Sequence, residues 1–432
     1  MVDRPFCMIG GMGDRDSRLD MQNPEHRRPT RLGEQPSSQP IRSVVCTLAL
    51  TAATSWATAT EGAASAAHAT MPAQQPDVAA IAQQILARAD LQAGERVLLV
   101  ARPGRFDGLI AHLRDGILRA GATDLGAILA SGSASVGNPT EFARQLVHLP
   151  RAQLVSRLAD VDLAVMLPDT TPADLVYSAM QDVLWQGRGR TIHFHWSGAY
   201  ELSGNLRQVD AEVNAIYARV LRDTDYEALA ATQRSFEMAM RHAEVRITTP
   251  AGTDLRFRIG DRPVTQQDGD ASAVRAAQAR NLIDREIELP AGAIRVAPLE
   301  ETVQGTVAFP PSMWNSAITE GLVLTFVDGV VVSAAADSGL EAAEAVLRRG
   351  GLPARSFREF ALGFNPLLAI PADNAWIPDY GYGAGVVRLS LGDNSELGGN
   401  VGGGFVRWNF FVDATVTVDG DIWVQNGTLL PR

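Results

Sequence analysis

The sequence contains no lysine. All 38 of its basic residues are arginines, set against 49 carboxylates for a formal net charge of −11. Schiff-base lysines, lysine general bases and the lysine of a nucleotide-binding P-loop are thereby excluded. Arginine keeps its proton across the physiological range, so every cation here either binds an anion or serves as surface charge. The acidic balance also argues against a nucleic-acid partner, whose phosphates call for basic surface. Cysteine is almost as scarce: Cys7 and Cys46 are the only two. Two catalytic signatures are missing as well, since there is neither an H-E-x-x-H motif nor a serine in a G-x-S-x-G elbow. The glycine-dense segment 398–404 precedes a strand pattern instead of opening a helix, which makes it a loop and not a phosphate cradle. No run reaches the ~20 apolar residues of a membrane-spanning helix.

What is present fits a globular chain of two domains behind a leader. The 432 residues are 46% apolar and 20% charged, and domains typically take ~100–200 residues each. Residues 1–42 are polar and rich in arginine, proline and serine. An apolar run, 43–57, follows Arg42, and small residues lead on to Ala67-His68-Ala69. This is the order of a secretory signal with an A-x-A cleavage site, so 1–69 is expected to be a leader and the protein periplasmic or secreted. Cleavage after Ala69 would remove both cysteines, leaving neither disulfide nor thiol chemistry.

Residues 70–242 read as an α/β domain. Val78, Ile81, Ile85 and Leu86 recur at helical spacing behind a capping Asp77. Segment 96–101 is a buried-strand pattern, and Phe106, Leu109, Ile110, Leu113 and Ile117 form the next helical stripe, closed by Gly121. Further apolar runs at 125–130, 161–167 and 190–195 complete an alternation that predicts a parallel sheet covered by helices. One long helix is expected over 209–242. Residues 243–432 change texture to a β-rich (α+β) domain: a hairpin at 245–259, then short strands at 293–296, 305–309, 322–327, 330–334, 386–391 and 405–411, with one helix near 339–349.

Two sets of polar residues stand out. His193 and His195, two apart on a strand, share a face and could reach one ligand, but two imidazoles need a further carboxylate or histidine to hold a metal. The alternative is a strand edge with hydrogen-bonded histidines. The second set lies in the last third and includes Glu300-Glu301, Arg358-Glu359, Tyr380, Tyr382, Arg388, Glu396 and Arg407-Trp408-Asn409. Arg388 sits inside an apolar strand with Val386 and Ser390 on its face. A buried arginine there needs a carboxylate partner or a bound anion.

At this set the sequence resembles the aminopeptidase T (thermophilic metallo-aminopeptidase) family. The resemblance rests on Leu91-Gln92-Ala93-Gly94-Glu95-Arg96-Val97, Thr249-Pro250-Ala251-Gly252, Leu289-Pro290-Ala291-Gly292, Glu359-Phe360-Ala361-Leu362-Gly363-Phe364-Asn365-Pro366 and Leu391-Gly392, taken in order. It implies an aminopeptidase-T-like fold, a homodimer and a two-metal exopeptidase site in the β-rich domain. Carried over residue by residue, most of that site is lost. A ligand Glu becomes Ala293, one His becomes Arg388, and the H-W-D pair becomes Arg407-Trp408-Asn409; only Glu359 remains, with Tyr380 or Tyr382 standing in for a ligand Tyr. Guanidinium has no lone pair for a metal. The expectation is therefore a cofactor-free site for an amino acid or short peptide. Arg388 and Arg407 would grip its carboxylate, with Asn409, Tyr382 and Glu396 around them and Glu359 facing the amine. Two alternatives stay open. One is a metal-dependent aminopeptidase holding Zn or Co through His193, His195 and Glu359; the other is a non-catalytic pseudoenzyme that binds a partner.

Overall fold

The computed structural model describes residues 77–432. The expected leader, its cleavage site and both cysteines lie outside the described residues. Among those described, no helix is long and apolar enough to cross a membrane.

The first helix, Val78–Ala89, starts where expected, with the Asp77 side chain accepting from the Ala80 amide. The strands Arg96–Ala101, Thr123–Leu129, Leu163–Met166 and Arg190–Phe194 pair in parallel, flanked by helices Asp107–Arg119 and Leu175–Trp185. The long helix expected over 209–242 is two, Ala211–Asp223 and Tyr226–Met240. Asp225 breaks it by capping the second, its side chain accepting from the Ala228 amide.

The C-terminal half builds two large antiparallel sheets, as its texture predicts. An eight-stranded sheet contains the hairpin Val245–Thr248 and Asp254–Phe257. A five-stranded sheet runs in the order Val406–Phe411, Val387–Gly392, Phe357–Gly363, Ala293–Val296, Val264–Gln266. The expected boundary at 242 separates two textures but not two cores. Strand Glu286–Leu289, from the second half, pairs in parallel with Arg190–Phe194 and becomes the edge of the first sheet. One apolar core runs from Val97 and Ile192 through Phe236 and Phe257 to Phe360 and Val416, and residues 77–432 form a single compact unit.

This strand transfer positions the site. The carboxyl ends of Arg190–Phe194 and Glu286–Leu289 abut one face of the five-stranded sheet. The other face of that sheet, with Ile294, Val296, Phe360, Leu362 and Leu389, enters the core. Carboxyl ends of parallel strands are where α/β folds place their ligands.

Candidate functional site

Strand pairing fixes which residues share the outward face of the five-stranded sheet. Arg295 lies opposite Ala361, Ala361 opposite Arg388, Glu359 opposite Ser390, and Ser390 opposite Trp408. Alternation along each strand therefore gathers Ala293, Arg295, Glu359, Arg388, Ser390 and Trp408 on one surface. Glu359 is its centre and is wholly buried. Arg295 reaches its two oxygens at 3.1 and 3.2 Å, Arg388 donates at 2.5 Å, and Arg358 donates as well. Arg358 also binds Glu396 and the Asp393 carbonyl, and Arg295 lies 3.4 Å from Glu396 and 3.5 Å from Glu288. Three guanidiniums thus face three carboxylates. Glu396, with 30% of its side chain exposed, is where this network meets solvent.

Burial works against two of these cations. It pushes Arg388 down to about 9, with Arg295 adding to the effect, and Arg358 down to about 10, with Arg295 and Arg388 adding. Lowered values of this kind mark cations held out of water, and each further hydrogen-bond acceptor offered to them offsets part of that cost.

The facing wall belongs to the parallel sheet. His193 and Glu288 are register partners on adjacent strands, and the His193 and His195 rings lie 3.8 Å apart. The His193 Nδ1 is 2.7 Å from the Tyr177 hydroxyl, and its Nε2 is 3.3 Å from the Thr170 carbonyl. Burial, reinforced by His195, holds the His193 pKa far below the usual imidazole range, so the ring is neutral. Burial alone would raise Glu288, but His195 and Arg295 outweigh it and hold the carboxyl at about 2. Tyr382 donates to the second oxygen of Glu288.

The structure reorders the residues expected from sequence. Arg388, Glu359, Glu396 and Tyr382 do meet in this network. Arg407 does not join them. It pairs with Leu391, whereas Arg388 pairs with Phe410, so the two arginines project from opposite faces of the sheet. Arg407 stacks 3.6 Å from the Trp314 ring and donates to the Met313 carbonyl. Asn409 shares the Arg407 face and donates to the Leu389 carbonyl. The expected two-arginine grip is thus corrected to a single arginine, with Trp408 beside it. Glu359 cannot face a ligand amine, because three guanidiniums occupy it. The carboxylate beside His193 and His195 is Glu288, not Glu359.

Glu288 and Arg295 were not singled out from sequence. The signal was the one that flagged Arg388, a charge inside an apolar strand: Glu288 lies between Ile287 and Leu289, and Arg295 between Ile294 and Val296.

A two-metal centre at Glu359 does not fit these residues. Ala293 offers no donor, Arg388 and Arg407 offer no lone pair, and the lone pairs of Glu359 are already engaged by three cations.

Residues 225–369 match the sequence pattern of the thermophilic metalloprotease (M29) family. A comparison with curated proteins gave no match. Among solved structures the fold is similar to wild-type AmpT from Thermus thermophilus, with 17% identity, a TM-score of 0.53, and coverage of 82% of this chain and 99% of that one. It is similar to the same degree to 2,5-dihydroxypyridine dioxygenase from Pseudomonas putida KT2440, with 14% identity, a TM-score of 0.54, and coverage of 82% and 97%. At these identities the likeness is one of fold and transfers no activity. Residues 225–369 thus carry the sequence pattern of the thermophilic metalloprotease (M29) family, set within a fold similar to that of AmpT.

Proposed function

We propose that the protein binds a free amino acid or short peptide at the junction of the two sheets, without the two-metal centre of its family. One observation carries this reading: buried donors and buried acceptors stand unpaired in the same neighbourhood. The Arg388 Nε, the Ser390 Oγ and the Trp408 Nε1 have no hydrogen-bond partner. Ser390 and Trp408 are register partners, and the Arg388 guanidinium lies 4.9 Å from the Trp408 ring. Each buried donor left without an acceptor costs about 1–3 kcal/mol. A ligand carboxylate offers two oxygens that can accept from such donors, and the charge-assisted bond to Arg388 is the stronger kind.

Asp379 supplies the complement. It is fully buried, and neither of its carboxylate oxygens has a partner. It interacts electrostatically with Arg388, so it stands as the acceptor for the amine of a zwitterion. The Tyr380 ring packs 5.3 Å from Trp408 and 4.3 Å from His195 beside these groups. In this reading the leader delivers the protein to the periplasm or cell exterior, where such ligands are met.

Thermal-shift measurements against amino acids and dipeptides, compared with their amides and N-acetyl forms, test the proposal. A ligand that binds only the folded chain raises Tm. Free carboxylates are expected to raise it and amides not. Trp408→Phe keeps the ring but loses the indole donor, and should weaken binding about tenfold or more, as for one hydrogen bond to a charged group. Arg407→Ala, on the opposite face, should leave binding unchanged. A shift that is equal for acids and amides, or indifferent to Trp408→Phe, would overturn the reading.

A further inference from the structure

The histidine wall of the junction is not explained by carboxylate binding. His193, His195 and Glu288 each offer a ligand atom, and these atoms all lie within 4.8 Å of one another. We infer that they form a site for one divalent transition-metal ion, distinct from the Glu359 position where a metal does not fit.

Three features of the surroundings support it. The Nε2 of His195 is buried and has no hydrogen-bond partner, in a side chain only 6% exposed. It lies 3.9 Å from the Glu288 Oε1, too far for a hydrogen bond. Ligand atoms about 2.1 Å from a shared tetrahedral ion stand about 3.4 Å apart, so the three side chains need only a small closing movement to hold one. His193 is held in the manner of a metal-binding imidazole. The Thr170 carbonyl can only accept, so it fixes the ring proton on Nε2 and leaves the lone pair on Nδ1. Glu288, finally, is oriented through one oxygen by the Tyr382 hydroxyl, and its other oxygen faces His195.

Two groups compete with the ion, and both have somewhere else to go. Tyr177 donates to the His193 Nδ1, yet Glu286 lies within its reach with an unpaired oxygen. Arg295 lies 3.5 Å from the Glu288 Oε1 but keeps Glu359 and Glu396. Two imidazole nitrogens and one carboxylate suit Zn, Co or ferrous iron better than magnesium or calcium, and leave coordination positions open to a small ligand. The inference goes beyond the carboxylate reading and does not depend on it, because Arg388, Ser390 and Trp408 lie on other strands.

The test uses the full chain, stripped with a chelator and titrated with Co(II). The visible absorption of a nitrogen-coordinated ion is followed, and Zn(II) is added to displace it. One Co(II) per chain is expected, lost in His195→Asn and in Glu288→Gln. Tyr177→Phe removes the hydrogen bond that occupies the His193 lone pair, and should bind Co(II) about fivefold tighter; a merely structural hydroxyl would give no such gain. Circular dichroism of each variant separates loss of the site from loss of the fold. Absence of one-to-one binding, or binding that is indifferent to both His195→Asn and Tyr177→Phe, overturns the inference. Trp408→Phe should leave the Co(II) spectrum intact, so failure of the carboxylate site and failure of the metal site are told apart.

Discussion

Glu359→Ala is expected to destabilise the protein by about 3–5 kcal/mol, the cost of removing one partner of a buried ion pair. Here the loss strands not one cation but three. Arg295, Arg358 and Arg388 converge on this carboxylate, and its side chain is 0% exposed. Glu396 and Glu288 offset part of the charge, but Glu396 stands at the solvent edge and Glu288 reaches only Arg295. Against a typical total stability of about 5–15 kcal/mol, such a change lowers the urea midpoint sharply. Glu359→Gln retains the shape without the charge and should fall between the two. An unchanged midpoint in Glu359→Ala would show that the guanidiniums are not buried around it.

Asp379→Asn is expected to act in the opposite direction. Burial, with Glu288 adding to it, pushes the Asp379 carboxyl well above its usual range. A group whose folded pKa is raised binds its proton more tightly in the folded chain than in the unfolded one. Its contribution is therefore complete below the unfolded pKa of about 4 and is lost as pH rises, by about 1.4 kcal/mol per pH unit until the folded group ionises. Asparagine cannot ionise, so the variant should be more stable than the parent at pH 7 and equal to it near pH 3. The backbone at 379 has φ of 49°, a conformation that asparagine tolerates as readily as aspartate. Denaturation midpoints measured across pH 3–7 check this. If the carboxylate receives a ligand amine, the same variant loses the preference for free amino termini, a stability gained at the expense of binding. Equal pH slopes in parent and variant would show that Asp379 is ionised in the folded state.

Much of the fold was legible because apolar periodicity reports local structure directly. The run RVLLVA became the strand Arg96–Ala101, and the segment around 245–259 became the hairpin. The break at Thr224-Asp225 was harder to see, since aspartate carries no turn signal as strong as glycine or proline. The site was only partly legible. A charge inside an apolar strand marked Arg388 as needing a carboxylate partner or a bound anion, and the structure sets Glu359 beside it as such a partner instead of leaving it to face a ligand amine. Whether Arg407 could join it depended on the parity of pairing between two strands, and one residue of register moves a side chain to the opposite face. Nothing in a single sequence states that parity. The closeness of His193 and Glu288 was hidden in the same way, since 95 positions separate them and only the sheet order brings their strands together.

That sheet order has a practical corollary for anyone dissecting the molecule. A fragment ending at 242 would lack Glu286–Leu289, and its Arg190–Phe194 backbone would become a bare rim ready to recruit strands from neighbouring chains. The complementary fragment would carry the glutamate without either imidazole. Neither piece is a module that evolution or an experimenter could shuffle independently, so the two halves must be inherited, expressed and engineered as one.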